Sequence, residues 1–355
     1  MKIAIIRRDI GNYSETFVRK NIECINAGKT VVLAEKLVGD PGWWPARPTL
    51  YLSRIPKPLR ACAVHAFLLR HRVAGAVCEF LDYAIEWVPV FKRLGIPFVV
   101  LGHGFDIGRN VNRIPDYKNA LLALKSARKI IVPCDYGKKI LLMRAAFDAD
   151  FVESIPVGID LSKFSSPKLN RDGSRLLFVG RFVEKKSPIY LLMAFYHASK
   201  TLPSMVLDCI GDGPMLPAAK QLASCLGIDH RVNFMGSRPH GYVLHALQNA
   251  RAMVQHSMTA DNGDMETMPL SIQEALASGT PAVVTDHAGL PDIVQDGVTG
   301  YIVKERDVMR MAEKIVQLMK LDSESYRAMQ ENCITQASRF DYRTRIKRIE
   351  TLLDI

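Results

Sequence analysis

The 355-residue sequence predicts an α/β fold of two doubly wound, Rossmann-like domains. Short apolar runs alternate with helix-length amphipathic segments, which is the pattern of parallel sheets whose strands are connected through helices. A polar stretch rich in turn-forming residues, 161–174, interrupts this alternation, and the pattern begins again after it. The chain is also long for one domain and long enough for two that each bury a core.

The strand candidates form two groups, one on each side of the polar stretch. The first domain is predicted to span residues 1–165, with strands at Lys2–Ile6, Thr30–Ala34, Pro97–Leu101 and Lys129–Pro133. The second is predicted to span 166–339, with strands at Arg175–Gly180, Met205–Ile210, Val232–Met235, Ala252–His256, Pro281–Thr285 and Tyr301–Val303. Ligands of such sheets bind at the carboxyl ends of the strands, so we expect an interdomain cleft lined by residues that follow these strands.

The composition is that of an ordinary globular protein, with 48% hydrophobic and 23% charged residues. No apolar run approaches the roughly 18 residues of a membrane-spanning helix. The apolar start of the chain is soon interrupted by Arg7 and Arg8, which favours a first strand over a signal peptide. The seven cysteines are scattered without a Cys-x-x-Cys pair, so we expect reduced thiols in a cytoplasmic protein.

Positive charge is concentrated in the first domain. Residues 1–165 contain 25 Lys and Arg against 15 Asp and Glu, whereas the rest of the chain contains 22 against 21. Basic and apolar residues alternate in segments 54–72 and 125–139, which suits an anionic membrane surface or an acidic acceptor. A solvated positive face without a partner is the alternative. We expect no nucleic-acid partner, because no recognition motif or aromatic stacking pattern accompanies the charge.

Two carboxylates eight positions apart, Glu266 and Glu274, flank the start of a predicted helix in the second domain. Pro269 suits the first helical turn, and Gly279 followed by Thr-Pro ends the helix. Glu266 is therefore expected in the loop before the helix and Glu274 within it. The helix N-terminus between them suits an anion such as a diphosphate, whereas the carboxylates suit hydroxyl groups. This combination predicts a site for a phosphorylated sugar.

A second motif begins at Gly180, where a predicted strand ends and a residue without a side chain lets a ligand approach the backbone. Arg181 and Lys186 follow at a spacing that lets both side chains reach one anion across a turn. Arg presents a planar fork of donors and Lys a compact charge, a combination that suits a diphosphate. The alternative is a pair of surface charges without a function.

His103 lies between two glycines directly after a predicted strand, where it is expected to face a crevice. An imidazole at this position can donate a hydrogen bond to a sugar hydroxyl or help to hold an acceptor. Asp106 is a candidate acceptor-binding residue, and Glu15 is another because segment 13–18 resembles the opening loop of polysaccharide transferases. Glu15, in the loop after the first strand, could equally cap the next helix.

These motifs resemble those of family 4 retaining glycosyltransferases, which use nucleotide sugars and have the GT-B fold, and in particular exopolysaccharide and colanic-acid-type biosynthesis enzymes. The matching motifs are Glu266-x7-Glu274, Gly180-Arg…Lys186, Gln255-His-Ser257, Thr285–Val294 and Gly297-Val-Thr-Gly300. The resemblance covers essentially the whole chain and is most specific over 175–303. The sequence departs from the family pattern at Ser187 and at Thr267, where the family often has Gly. The second departure would narrow the sugar pocket.

The resemblance implies a role for each matching residue. Arg181 and Lys186 would neutralise the leaving nucleotide diphosphate. Glu266 would hold hydroxyls of the donor sugar, Glu274 would hold the ribose, and His103 would lie near the reaction centre. The implied donor-binding residues are Gly180, Arg181, Lys186, Gly211, Gly213, Arg238, Glu266, Met268, Pro269, Leu270 and Glu274. Residues 340–355 resemble the GT-B helix that crosses back to the first domain.

The resemblance also implies that no cofactor or metal ion is required, because Arg181 and Lys186 can supply the positive charge. Asp148 and Asp150 have the Asp-x-Asp spacing that binds a metal–diphosphate in the other major glycosyltransferase fold. They lie in a polar turn away from the other motifs, so we do not expect a metal site there.

The predicted function is retaining transfer of a sugar from a nucleotide diphosphate sugar to a lipid-linked, oligosaccharide or polysaccharide acceptor in cell-surface glycan biosynthesis. The expected location is the cytoplasm, with peripheral attachment to the inner membrane face as an option. One alternative is a non-hydrolysing nucleotide-sugar epimerase of the same fold. The other is a non-catalytic binding subunit.

Overall fold

The chain forms two compact units. The computed structural model describes residues 1–11, 16–38, 46–110, 116–145, 147–164 and 173–355, without the side chains of 109 and 110. One unit contains Met1–Val157 together with Tyr342–Ile355, and the other contains Gly158–Asp341. Both are parallel α/β sheets, so the predicted fold class is confirmed. The units meet in the chain at Val157, earlier than the predicted boundary at 165.

The first unit is built on a parallel sheet with the strand order β3-β2-β1-β4-β5-β6-β7 in the described residues. Its strands are β1 Lys2–Ile10, β2 Thr30–Leu37, β3 Thr49–Tyr51, β4 Val73–Glu79, β5 Phe98–Leu101, β6 Lys129–Val132 and β7 Val152–Ser154. The four strands predicted from sequence are present. Strands β3, β4 and β7 were not predicted. Of these, β4 matters for the site because its last residue, Glu79, contacts His103.

Helices connect these strands, as parallel pairing requires. They are α1 Thr16–Cys24, α2 Arg60–Arg70, α3 Leu81–Leu94, α4 Tyr117–Leu121 and α5 Asp135–Ala145. The core of the sheet is formed by branched apolar side chains that are fully buried, among them Ile3, Ile5, Val32, Val77 and Val99. Burial on both faces explains why these strands are continuous apolar runs rather than alternating ones.

The second unit contains a parallel sheet with the order β10-β9-β8-β11-β12-β13 in the described residues. Its strands are β8 Arg175–Val179, β9 Val206–Ile210, β10 Val232–Gly236, β11 Ala252–Gln255, β12 Ala282–Thr285 and β13 Gly300–Val303. Its helices are α6 Pro188–Thr201, α7 Leu216–Cys225, α8 His240–Asn249, α9 Leu270–Ala277, α10 Leu290–Ile293, α11 Val308–Met319 and α12 Ser323–Ala337. All six predicted strands are present, and the strand order reverses between β8 and β11, the position where such sheets bind ligands.

The last helix, α13 (Tyr342–Leu352), belongs to the first unit although the chain reaches it from the second. Ile346, Ile349 and Leu353 are buried in the same apolar cluster as β1, β2 and β4. Arg348 adds a two-pronged ion pair to Glu153 on β7, with Nε 2.8 Å from Oε2. The predicted crossing back of the C-terminal helix is therefore confirmed.

Candidate functional site

In the second unit the structure brings Lys186 and Glu266 together. Lys186 ends the turn that follows β8, and its Nζ lies 2.9 Å from Oε2 of Glu266. Both side chains are largely buried, with 9% and 14% of their surface exposed. Burial alone would raise the pKa of Glu266, but the ammonium groups of Lys186 and Lys185 and the hydrogen bond from Lys186 outweigh it and lower that pKa to about 2. Glu266 is therefore an anion, and its charge opposes the lowering of the Lys186 pKa that burial causes.

Gln255, the last residue of β11, holds Lys186 from the other side. Its Oε1 accepts a hydrogen bond from Lys186 Nζ at 3.1 Å, and its Nε2 donates to Ser257 Oγ at 2.8 Å. The Lys186 ammonium can only donate, so the end of the amide that faces it is the oxygen, and Gln255 presents an acceptor to Lys186. The sequence identified Gln255 only as part of a matching motif and did not predict its contact with Lys186. The two residues are 69 positions apart, and no local pattern indicates such a contact.

The turn that carries Lys186 also fastens the loop that carries Glu266. Glu184 accepts a hydrogen bond from the backbone N–H of Asp261 at 2.6 Å. Lys185 binds Asp264 through an ion pair at 3.1 Å and the carbonyl of Met265 at 3.3 Å. The relative position of Lys186 and Glu266 is thus set by three contacts of Glu184 and Lys185 as well as by their own ion pair.

Arg181 is separated from the end of β8 by Gly180 alone and is exposed. No ion pair of its guanidinium occurs in the part of the chain that the structure describes, so an anionic ligand can approach it. Gly180 lies beneath the Lys186 side chain, and Gly211 lies against the backbone of Gly180. Gly211 has φ +139°, and a Cβ there would come within 1.9 Å of the Gly180 carbonyl oxygen. This glycine is therefore required for packing at the end of β8.

The predicted arrangement of the Glu pair is present. Pro269 precedes α9 as its N-terminal cap, Glu266 lies in the loop before it and Glu274 lies inside it. Glu274 is hydrogen-bonded to His240, whose Nε2 lies 2.7 Å from Oε1 of the carboxylate. His240 begins α8 and was not predicted as a site residue.

The remaining predicted donor-binding residues differ in exposure. Met268 is buried, Leu270 is half-buried, and Arg238 is exposed with its guanidinium 5.6 Å from the ring centre of Tyr242. Gly213 contacts the backbone of Phe182, where a Cβ would approach the carbonyl oxygen to 2.5 Å. Gly213 thus has a packing role at this turn in addition to the predicted one.

In the first unit His103 is held by a buried carboxylate. His103 follows β5, and its Nε2 lies 2.8 Å from Oε2 of Glu79, the last residue of β4. The other oxygen of Glu79 accepts a hydrogen bond from Asn21 Nδ2 at 2.6 Å. The imidazole also packs between Phe17 and Phe80, with ring centres 5.0 and 4.6 Å away. Phe80 has φ +79°, a strained backbone of the kind that clusters at functional sites.

The charges around this pair favour an ionised Glu79 and a neutral His103. Burial alone would raise the pKa of Glu79, but the hydrogen bond from His103 and the charges of the nearby Arg345 and Arg7 outweigh it and lower that pKa to about 2. Burial lowers the pKa of His103; Glu79 opposes this effect, while Arg345 and Arg7 reinforce it. A carboxylate only accepts hydrogen bonds, so the imidazole carries its proton on Nε2 and a lone pair on Nδ1.

Asp106 does not have the acceptor-binding role expected from sequence. Its side chain is fully buried, and its two oxygens accept hydrogen bonds from the backbone N–H groups of Leu81 and His103, each at 2.7 Å. Burial raises the pKa of this carboxyl to about 8, against the lowering effect of those hydrogen bonds. Asp106 instead ties the loop carrying His103 to the start of α3. Glu15, the other predicted acceptor-binding residue, lies outside the described residues.

Asp148 and Asp150 are exposed in the turn before β7. The described residues contain no group of three His, Cys, Asp or Glu side chains that could hold a metal ion. Metal independence remains a prediction.

All seven cysteines are free thiols. None of the helices in the described ranges combines the length and apolar character needed to cross a bilayer.

The family model for glycosyl transferases group 1 matches residues 162–336. A D-inositol 3-phosphate glycosyltransferase of Frankia alni is 31% identical over 310 residues, covering 78% of this chain and 74% of that protein. A putative colanic acid biosynthesis glycosyltransferase WcaL of Salmonella typhimurium is 27% identical over 183 residues. That match covers 51% of this chain and 44% of the Salmonella protein, so the match spans less than half the length of that relative.

Among solved structures, Anabaena Alr3699/HepE in complex with UDP-glucose has a TM-score of 0.77 at 18% identity, with 100% of both chains covered. The same protein in complex with UDP has a TM-score of 0.79. The two Rossmann-like units thus define a GT-B fold. The chain belongs to the glycosyl transferases group 1 family, as the Frankia relative shows.

Proposed function

We propose that this protein is a retaining glycosyltransferase that transfers a sugar from a nucleotide diphosphate sugar to a lipid-linked or polysaccharide acceptor in cell-surface glycan biosynthesis. The observation that carries this proposal is the buried Lys186–Glu266 pair beside the exposed Arg181, at the point where the strand order of the second unit reverses. The Salmonella relative is named for colanic acid biosynthesis and Alr3699/HepE is described with UDP-glucose, which supports the choice of substrate class.

The positive groups of the second unit would stabilise the leaving nucleotide diphosphate. Arg181 offers a forked set of donors, and Lys186 offers a charge that Gln255 and Glu266 hold in place. The N-terminus of α9 adds backbone N–H groups at its positive end. Such preorganised donors act on charge that develops as the sugar–phosphate bond breaks, which is where they accelerate the reaction most.

The two carboxylates of the Glu pair would bind hydroxyl groups. Glu266 uses one oxygen for Lys186, which leaves its other oxygen to accept a hydrogen bond from a hydroxyl of the donor sugar. Glu274 uses one oxygen for His240, and its other oxygen would accept from the ribose. In both cases the protein partner orients the carboxylate before the ligand arrives, which lowers the entropic cost of binding.

His103 would contact a substrate hydroxyl as a hydrogen-bond acceptor. Glu79 keeps the imidazole proton on Nε2, so Nδ1 has a lone pair to accept the hydroxyl hydrogen. This assignment refines the expectation from sequence, in which the imidazole donates. In the transfer, the bond from the anomeric carbon to the diphosphate breaks and the bond to the acceptor oxygen forms on the same face. The acceptor proton passes to the departing diphosphate oxygen.

Exposed apolar and basic residues of the first unit support the membrane hypothesis. Leu59, Leu69 and Leu122 are exposed by 56%, 57% and 40%, and Arg70 and Lys125 beside them are also exposed. Each cation near an anionic bilayer contributes about 1 kcal/mol of binding energy. We propose that this surface attaches the enzyme reversibly to membranes that hold a lipid-linked acceptor.

A screen of nucleotide sugars by thermal shift, followed by product analysis, tests the proposed function. A donor present at 100 times its dissociation constant raises the free energy of unfolding by roughly 2.7 kcal/mol. The donor identified in this way should yield a glycosylated acceptor. An epimerase would convert the donor sugar without any acceptor, and a binding subunit would leave the donor unchanged under all conditions.

A further inference from the structure

His287 and Glu305 lie next to the proposed donor site without belonging to the Glu pair or to the diphosphate-binding groups. His287 follows β12 and Glu305 follows β13, and the His287 side chain is 2% exposed. We propose that His287, oriented by Glu305, is a positioning residue that fixes Glu266 for binding the donor sugar. The inference rests on the proposed role of Glu266.

The hydrogen bonds of His287 define its tautomer. The backbone N–H of Glu266 donates to His287 Nε2 at 2.9 Å. A backbone N–H can only donate, so Nε2 carries the lone pair and the proton of the neutral imidazole is on Nδ1. Nδ1 lies 2.6 Å from Oε1 of Glu305, which accepts that proton's hydrogen bond. The three groups therefore form a directed chain from Glu266 through His287 to Glu305.

Glu305 holds both ends of the loop that leads to Glu266. Its second oxygen accepts a hydrogen bond from the backbone N–H of Thr259 at 3.3 Å, while His287 connects its first oxygen to Glu266. Between these two points the loop closes on itself: the Ala260 N–H donates to the Asp264 carbonyl, and the Gly263 N–H donates to the Ala260 carbonyl. Burial alone would raise the pKa of Glu305, but the hydrogen bonds from His287 and the Thr259 N–H and the charge of Arg306 outweigh it and lower that pKa, so the carboxylate keeps its charge.

The arrangement predicts what the loss of His287 would do. Without an acceptor, the N–H of Glu266 loses its hydrogen bond and the loop loses one of its two attachments to Glu305. A misplacement of about 1 Å in a positioned group can lower turnover by roughly 100-fold. The contacts of Lys186 with Gln255 do not depend on His287, so binding of the diphosphate should be affected much less than binding of the sugar.

Two substitutions separate the two hydrogen bonds of His287. The amide oxygen of His287→Gln can reach the position of Nε2 and accept from Glu266, whereas the shorter amide of His287→Asn can reach only Glu305. We expect kcat/KM for the donor to fall by roughly 100-fold in the Asn variant and by less than roughly 10-fold in the Gln variant. Equal losses in both variants would contradict a positioning role through Nε2.

A ligand-free measurement tests the geometry itself. Long-range proton–nitrogen spectra of protein labelled with 15N-histidine distinguish the two tautomers, and the His287→Gln variant identifies the His287 signals. We expect His287 to carry its proton on Nδ1 and to have an unprotonated Nε2. Hydrogen exchange of the Glu266 amide should also be faster in the Asn variant than in the Gln variant. A proton on Nε2, or equal exchange in both variants, would overturn the inference.

The variant Glu266→Gln separates this inference from the proposed function. If Glu266→Gln transfers sugar at the same rate as the unmodified protein, the role assigned to Glu266 is wrong. The tautomer of His287 would then describe the structure without bearing on function. If Glu266→Gln loses activity while His287→Asn does not, the role of Glu266 holds and the inference about His287 fails. We expect both variants to lose activity and to retain affinity for the free nucleoside diphosphate UDP if UDP binds the unmodified protein.

Discussion

Replacing Glu79 with Gln should destabilise the first unit through the buried network around His103. The substitution keeps the shape of the side chain and removes its charge. The carboxylate accepts hydrogen bonds from His103 and Asn21, whereas an amide has only one oxygen to offer, so one donor would face the amide NH2 group. Arg345, 3% exposed on α13, would also lose the negative charge that favours its ionised form.

The magnitude follows from the pKa of Glu79. Its fall from 4.5 to about 2 corresponds to on the order of 3 kcal/mol of stability, since one pKa unit equals about 1.36 kcal/mol. Removal of one partner from a buried charge pair typically costs about 3–5 kcal/mol, which agrees. We therefore expect Glu79→Gln to lower the free energy of unfolding of the first unit by about 3 kcal/mol at neutral pH.

The same pKa determines how the effect varies with pH. Because the folded-state pKa is lowered, the contribution of Glu79 is fully present above its unfolded value of 4.5 and is lost as the pH falls towards about 2. The difference between the unmodified protein and the variant should be constant from about pH 6 to 8 and should narrow below about pH 4.5.

Urea unfolding followed by tryptophan fluorescence measures the difference in unfolding free energy between Glu79→Gln and the unmodified protein for the first unit. All three tryptophans, Trp43, Trp44 and Trp87, fall within residues 1–157, so the signal reports on the first unit. Glu153→Gln is a matched control, because Glu153 also binds an arginine of α13, Arg348, but in a partly exposed pair with side chains 23% and 38% exposed. Such pairs contribute at most about 1 kcal/mol. Equal losses in Glu79→Gln and the control, or a loss in Glu79→Gln that does not change at acid pH, would refute the reasoning.

Three further predictions concern the activity. Arg181→Ala should lower kcat by roughly 100- to 1000-fold, because a preorganised donor to the leaving group is lost. Since Arg181 is exposed, the melting temperature of this variant should stay near that of the unmodified protein. Near-normal turnover of the variant would refute the assignment. Treatment with a chelator should leave transfer largely intact, and complete loss restored by manganese or magnesium would require a metal site. The protein should sediment with anionic vesicles at low salt and be released at high salt. Neutralising Arg70, Arg72, Lys125 and Lys139 should weaken this binding without reducing turnover on a soluble acceptor. Absence of binding at low salt would assign the positive surface to another role.

Sequence predicted the parts of the site that are encoded locally. Glu266 and Glu274 are placed by a helix start and by spacing within one segment, and both lie where the pattern put them. The same holds for Arg181 and Lys186, which follow one strand. Ser187 shows why the family favours glycine at that position, since it adopts φ +42° in the left-handed region.

Sequence did not predict the side chains that orient these groups, because their partners are distant in the chain. Glu79 meets Asn21 across 58 residues, and Glu274 meets His240 across 34. Strand β4 was missed because it contains Gly75, which has no side chain to mark a strand, and its loss concealed Glu79. The expectation for Asp106 was wrong in a related way. A short carboxylate beside a glycine-rich turn can satisfy backbone N–H groups as readily as it can face a ligand.

The stereochemistry of the product tests the central claim most directly. The donor that stabilises the protein should be incubated with an acceptor, and the anomeric configuration of the new linkage should be determined by NMR from the proton coupling at the anomeric carbon. The proposed mechanism predicts a linkage with the same anomeric configuration as the donor and no change in the donor sugar when the acceptor is left out. A product of inverted configuration, or a donor sugar altered without any acceptor, would contradict it.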